Sequence, residues 1–172
     1  MKRLQILLVG LVLLAFLGIA WLSKGYSGEI LTSHTFVEIN APAEKVWAVL
    51  TDTGSYPQWN PYVVEVTGIP KVGERLKIVE QINGKRRSHN VLVTSLDSKE
   101  RQLAWAGSTV PSAFLKWGES FGVDSIDPNH SRLVVIRSTQ GLLAQMYWKY
   151  YKTRDLTVYR EFVEALKKKA EQ

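Results

Sequence analysis

At Gly141 the periodicity of this sequence changes once, and that change limits what the chain can build. Before it, stretches rich in Val, Ile, Leu and aromatic residues recur at 62–67, 74–82, 86–96, 102–108, 115–126 and 132–139. After it, Leu143, Tyr147, Tyr151, Val158, Phe162 and Leu166 follow a helical stripe, while Lys149, Lys152, Arg160 and Lys167 point elsewhere. A long amphipathic helix must bury its apolar face against something. A sheet built from the preceding stretches is the only partner large enough.

The turns between the stretches are short. Asn83-Gly84 separates two of them, and both central positions of the favoured hairpin turn want positive φ. Gly-Ile-Pro-Lys-Val-Gly at 68–73, Ser98-Lys99-Glu100 and Asp127-Pro128-Asn129 break the others, so consecutive strands form an antiparallel meander. A further β-rich run at 29–40 ends at Ala41-Pro42. A helix follows to Asp52, with Pro42 expected as its first residue and Val46, Trp47 and Leu50 on one face. Residues 53–57 break it, and Gln58-Trp59-Asn60-Pro61 reads as a second short turn. The expected architecture is α+β: a seven-stranded antiparallel sheet wrapped around a long C-terminal helix, over residues 29–172.

Of the 172 residues, 45% are hydrophobic and 22% charged, which suits a packed domain rather than a disordered chain. The absence of cysteine removes disulfides, thiolate zinc sites and cysteine nucleophiles. The net charge of +6 is spread over short clusters, Lys85-Arg86-Arg87 and Lys167-Lys168-Lys169 among them. They lack the interleaved aromatics of a nucleic-acid surface and read as a solvated turn and a solvated helix end, so no nucleic-acid partner is expected.

Ahead of the domain, Ile6–Leu22 runs ILLVGLVLLAFLGIAWL without a charge. Residues 4–22 as a helix span roughly 28 Å at 1.5 Å per residue, close to a hydrocarbon core about 30 Å thick. Trp21 falls at the far boundary, where indole rings favour the headgroup layer. Lys2 and Arg3 precede the run, so the positive-inside rule puts the N-terminus in the cytoplasm and the domain on the extracytoplasmic side. A transmembrane anchor at 4–22 with a linker at 23–28 is therefore expected. The competing reading is a cleavable signal peptide ending near Gly18-Ile19-Ala20, against which stands an apolar stretch longer than a usual signal core.

Strand, short helices, meander and long C-terminal helix together make the order of the helix-grip fold. APAEKVWAVLTDTGSYPQWNPYV (41–63) resembles the entry motif of the START-like superfamily, in its polyketide cyclase/dehydrase branch, with Trp47, Asp52, Trp59 and Pro61 at the family spacing. FLKWGESFGVDSIDPNHSRLVVIRSTQGLLAQMYWK (114–149) is similar to the last hairpin of that branch and its run into the final helix. The resemblance implies a cavity between sheet and helix. It leaves open what fills it, since the superfamily includes ligand carriers, lipid-transfer modules, cyclases and partner-binding modules.

The residues expected to line such a cavity are Trp105, Trp117, Glu119, Phe121, Tyr147, Tyr151 and His89. Trp117, Glu119, Phe121 and Val123 share one strand face by alternation, and its apolar character assigns it inward. Glu119 is then an acid among aromatics, placed to act as a general acid, to orient a polar ligand head, or to pair with Arg137 on the next strand. Tyr147, Tyr150 and Tyr151 on the covering helix can aim hydroxyls into the cavity or simply pack. Trp47 and Trp59 are expected to pack small helices against the sheet. His34, His89 and His130 are scattered, so neither a metal site nor a cofactor is expected. With six tryptophans and seven tyrosines, aromatic walls are expected to keep the cavity open.

The first functional reading is a membrane-anchored binding protein for a hydrophobic or amphipathic small molecule, lipid-like or polycyclic. The alternatives are a cyclase- or dehydratase-type enzyme using Glu119, His89 or a tyrosine, and a module that binds protein partners. For the topology, alkaline phosphatase fused after Gln172 should be active outside the cytoplasm. Reporter activity confined to the cytoplasm would reverse the orientation.

Overall fold

The computed structural model describes residues 29–108 and 110–172, apart from the side chains of 150–155, together with Gly10, Leu14, Leu17 and Gly18. The expected anchor at 4–22 and linker at 23–28 otherwise lie outside the described residues. Among the described residues no helix is long and apolar enough to cross a membrane.

The alternating stretches become strands β1 (Leu31–Ile39), β2 (Val63–Thr67), β3 (Arg75–Ile82), β4 (Lys85–Asp97), β5 (Gln102–Gly107), β6 (Lys116–Asp127) and β7 (His130–Gln140). They form one 7-stranded sheet in the order β1-β7-β6-β5-β4-β3-β2. Every neighbouring pair is antiparallel. Strands β2 to β7 are the meander, and β1 closes against the last of them. The two-residue turn at Asn83-Gly84 has φ of 50° and 74°, so both positions adopt the left-handed conformation the sequence implied.

Three helices lie on one face. Helix α1 is Ala43–Thr51, α2 is the single turn Tyr56–Trp59 and α3 is Ala144–Ala170. Pro42 stands just before α1 rather than inside it. Its carbonyl accepts the first helical bonds, from Lys45 N at 3.0 Å and Val46 N at 3.2 Å. The expected break at 53–57 is instead a 3₁₀ turn running into α2, where Pro57 costs nothing because first-turn amides have no helical partner. Asn60 then stops the helix, its Oδ1 accepting from Tyr62 N at 2.9 Å and Val63 N at 3.0 Å. Leu143, expected on the helix stripe, is the exposed residue before α3.

The core is the inward face of the sheet, with Leu76, Val91, Val93, Leu103, Val123, Leu133 and Val135 essentially without solvent contact. Against it sit Val46 and Leu50 of α1, Tyr56 of α2, and Phe162, Val163, Leu166 and Ala170 of α3. Trp59 is half-buried, edge-on to Tyr56 with ring centroids 4.9 Å apart, and its indole nitrogen donates to Ser55 Oγ at 3.2 Å. Helix α3 is therefore clamped through its C-terminal half. Leu166→Ala should cost about 3 kcal/mol of stability, the usual penalty for a buried leucine. Ile69→Ser, at a surface loop, should stay within about 0.5 kcal/mol of the parent. Denaturant melts of the two variants measure the contrast, and equal losses would mean that α3 is not held as described.

Candidate functional site

Between the sheet and the part of α3 ahead of Phe162 a cleft remains. Its larger chamber, about 410 Å³, is bordered by Glu80, Ile82, Arg87, Ser88, His89, Leu115, Trp117, Glu119, Arg137, Tyr147, Val158 and Tyr159. A smaller recess of about 60 Å³ continues toward Tyr56, Val63, Ile78, Phe121 and Phe162. Glu80, His89, Glu119, Val158 and Tyr159 border both. The recess is mostly apolar. The larger chamber is more polar than the aromatic-walled cavity expected from the sequence.

Strand register builds the centre of the site. Trp105 of β5 lies opposite Glu119 of β6, and Glu119 lies opposite Arg137 of β7, so three neighbouring strands set these residues in one row. Trp105 Nε1 donates to Glu119 Oε2 at 2.7 Å, and Arg137 Nη1 donates to Glu119 Oε1 at 3.0 Å. From α3, the Tyr159 hydroxyl donates to Glu119 Oε1 and accepts from Arg137 Nη1. Arg137 Nη2 also reaches the Tyr147 hydroxyl at 3.3 Å. The guanidinium lies 5.2 Å from the Trp117 ring centroid and 5.4 Å from that of Tyr159. With side-chain exposures of 12% and 10%, Arg137 and Glu119 form a nearly buried ion pair. Such a pair is tolerated because further hydrogen bonds and ring faces replace the lost water.

His89 of β4 faces the same space from the opposite side. Its ring is edge-on to Trp117, with centroids 5.5 Å apart, and it makes no hydrogen bond among the described residues. Burial pushes the imidazole below its ordinary value; nearby Glu119 opposes this and Arg137 reinforces it. The ring is therefore neutral at neutral pH. Trp117 itself fits only because its cross-strand partner is glycine, since a Cβ on Gly107 would stand 2.6 Å from the indole.

Six of the expected lining residues border the cleft, namely Trp105, Trp117, Glu119, Phe121, Tyr147 and His89, while the side chain of Tyr151 lies outside the described residues. Two of them are more core than wall. Trp105 is 5% exposed and Phe121 2%, with their rings 4.8 Å apart, and Phe121 also meets Phe162 edge-on. The inward-facing Glu119 takes the paired form anticipated for it, with Arg137 as partner. Tyr159 was missed. Its signal was the spacing of Tyr159, Phe162, Val163 and Leu166 at i, i+3, i+4 and i+7, truer to a helical face than the stripe drawn through Val158. Among the described residues no group of His, Asp and Glu could hold a metal ion.

Residues 31–171 match the family described as polyketide cyclase / dehydrase and lipid transport. The chain belongs to this family. Solved structures share the fold of this polyketide cyclase/dehydrase-family chain. Over 83% of the chain it is similar to the Zhui aromatase/cyclase from Streptomyces sp. R1128, covering 94% of that protein at 16% identity with a TM-score of 0.68. A START superfamily protein from Mycobacterium smegmatis matches over 82% of this chain and 97% of its own, at 21% identity and a TM-score of 0.65. Norcoclaurine synthase from Thalictrum flavum, as a point mutant with a transition-state analogue, matches over 84% and 96%, at 15% identity and a TM-score of 0.64. At these identities the likeness establishes the fold. No curated protein sequence matches.

Removing one member of the ion pair strands the other in the cleft wall. Arg137→Met should therefore destabilise the domain by about 3 kcal/mol. Adding Glu119→Gln should recover at least about 1 kcal/mol of that loss. A thermal-denaturation double-mutant cycle reads the coupling, and strictly additive losses would mean that the two charges do not stabilise one another.

Proposed function

We propose that this protein is a membrane-tethered binding protein that holds a hydrophobic or amphipathic small molecule between the sheet and α3. The cleft is the observation that supports this reading: its larger chamber falls in the size range of small-molecule sites, and an apolar recess continues from it. The apolar body of a ligand would meet Ile78, Phe121, Val158 and Phe162, and an oxygen-bearing group would meet His89, Tyr147 and Arg137. A ligand burying roughly 300 Å² of apolar surface would gain about 7 kcal/mol before the cost of immobilisation, so micromolar binding, about 8 kcal/mol net, also needs contacts from the polar groups of the larger chamber. The tether is the uncharged run Ile6–Leu22, with the domain on the extracytoplasmic side.

Both oxygens of Glu119 already accept hydrogen bonds from Trp105, Arg137 and Tyr159, which favours binding over proton transfer by this carboxylate. If the cleft performs catalysis of the kind named for the aromatase/cyclase relative, the better acid–base group is His89, neutral and without a hydrogen-bond partner among the described residues. Residues 29–172 contain every core residue among the described residues and can be tested directly with phenylnaphthylamine, an uncharged apolar fluorophore. Micromolar binding is expected. Val158→Trp, which fills the space where both chambers meet, should weaken it by at least about tenfold, or about 1.4 kcal/mol, without lowering the melting temperature. Unchanged affinity in that variant would put the probe elsewhere and end the reading. Single-turnover loss of a carbonyl substrate in the parent but not in His89→Gln would favour the enzyme instead.

A further inference from the structure

One end of the domain combines features that the proposed function does not use. The chain enters there: Leu31 pairs with Thr139, and Glu29 Oε2 accepts from Gln145 Nε2 at 3.0 Å, which fixes residue 29 beside the first turn of α3. The segment joining β5 to β6 packs on the same turn through Leu142 N to Ala113 O at 3.2 Å and Leu143 N to Phe114 O at 2.8 Å. Around this junction apolar side chains face outward: Ile30 is 57% exposed, Val110 41% and Met146 54%, with Leu142 and Leu143 beside them. Isolated exposed apolar residues are ordinary, but a cluster of this kind on a small domain calls for a covering surface.

The cations of the sequence gather at the same end. Register pairs Ile82 with Lys85 and leaves β4 residues 85–90 extending past the end of β5, toward the 108–115 segment. Lys85, Arg86, Arg87 and Lys116 are all exposed there. Arg86 is paired with Glu65 at 3.0 Å, and Arg87 stands opposite Glu80 across the register; with Glu29 counted, four cations meet three acids here. Arg87, Leu115 and Tyr147 also border the larger chamber, so the cleft reaches the same end.

We propose that this end is a membrane-docking face that lies on an anionic bilayer, so that ligand passes directly between bilayer and cleft. The passage of ligand rests on the binding reading given above; the docking rests on the membrane tether given there, and not on the ligand. The occupant is indicated by where the chain goes. Six linker residues at 23–28 reach at most about 20 Å, and beyond them begins an uncharged run long enough to span a hydrocarbon core. The end that carries residue 29 is thus held within about 20 Å of the interface. There an apolar patch with Lys and Arg at the same end of the domain matches acyl chains bordered by anionic headgroups.

The full chain is cysteine-free, so one introduced cysteine reports one place. Met146→Cys and, as a second reporter, Leu143→Cys mark the proposed face. Ile126→Cys marks the other end of β6, roughly 30 Å away at 3.3 Å per residue. Each is labelled with nitrobenzoxadiazole and the full chain reconstituted in phosphatidylcholine vesicles containing phosphatidylglycerol and nitroxide-bearing lipid. Quenching at 146 and 143 should be several-fold that at 126, and it should fall when phosphatidylglycerol is replaced by neutral lipid. Equal, weak quenching at all three would overturn the proposal. So would protection of 146 from aqueous iodide without lipid quenching, which would assign the patch to the chain's own N-terminal run or to a second copy. Quenching unchanged in neutral lipid would overturn the part given to the cations. Phenylnaphthylamine binding by residues 29–172 reads the ligand cleft separately, so either reading can fail alone.

Discussion

Burial of Phe162, Val163, Leu166 and Ala170 against the sheet is the contact on which the rest of the structure depends. It seats the C-terminal half of α3 over β1, β7 and α1. The part of the helix ahead of Phe162 is left to roof a space instead of filling it. A helix buried along its whole length would have closed the cleft. One held nowhere would have exposed the inward faces of β5, β6 and β7. The cleft is thus a consequence of where along α3 the small and apolar residues stop.

At that boundary the protein buries an ion pair. Opposite charges attract more strongly in a low-dielectric interior, but each must first lose its water, and the loss is compensated only where the remaining donors and acceptors find partners. Trp105, Tyr159 and Tyr147 supply those partners, and the rings of Trp117 and Tyr159 flank the guanidinium. The network therefore ties β5, β6 and β7 to α3 across the cleft, and it presents a ligand with charges already matched. His89 stands outside it, pushed toward the neutral form by burial and with a ring that makes no hydrogen bond among the described residues.

The family and the order of the elements were legible because both depend on local pattern. Asn83-Gly84 specified its hairpin through backbone conformation alone, and alternation in β6 assigned Trp117, Glu119 and Phe121 to one face before any neighbour was known. Errors of a residue or two arose at Pro42 and Pro57, where proline is compatible with either side of a helix start. The character of the cavity was legible only in part, for another reason. Apolar character says that Trp105 and Phe121 turn inward, but not whether they meet a void or one another.

The sequence by itself determined the strands, the long helix, the inward face of β6 and the membership of the family, since each is written in periodicity, turn chemistry and motif spacing over short stretches. Only the tertiary structure decided that Tyr159 closes the Glu119–Arg137 pair, that the larger chamber is polar, and that the cations at 85–87 stand at the end where the chain enters. Those facts follow from cross-strand register and from the length over which α3 is gripped. Both are set by packing between residues far apart in the chain, and no local pattern encodes them.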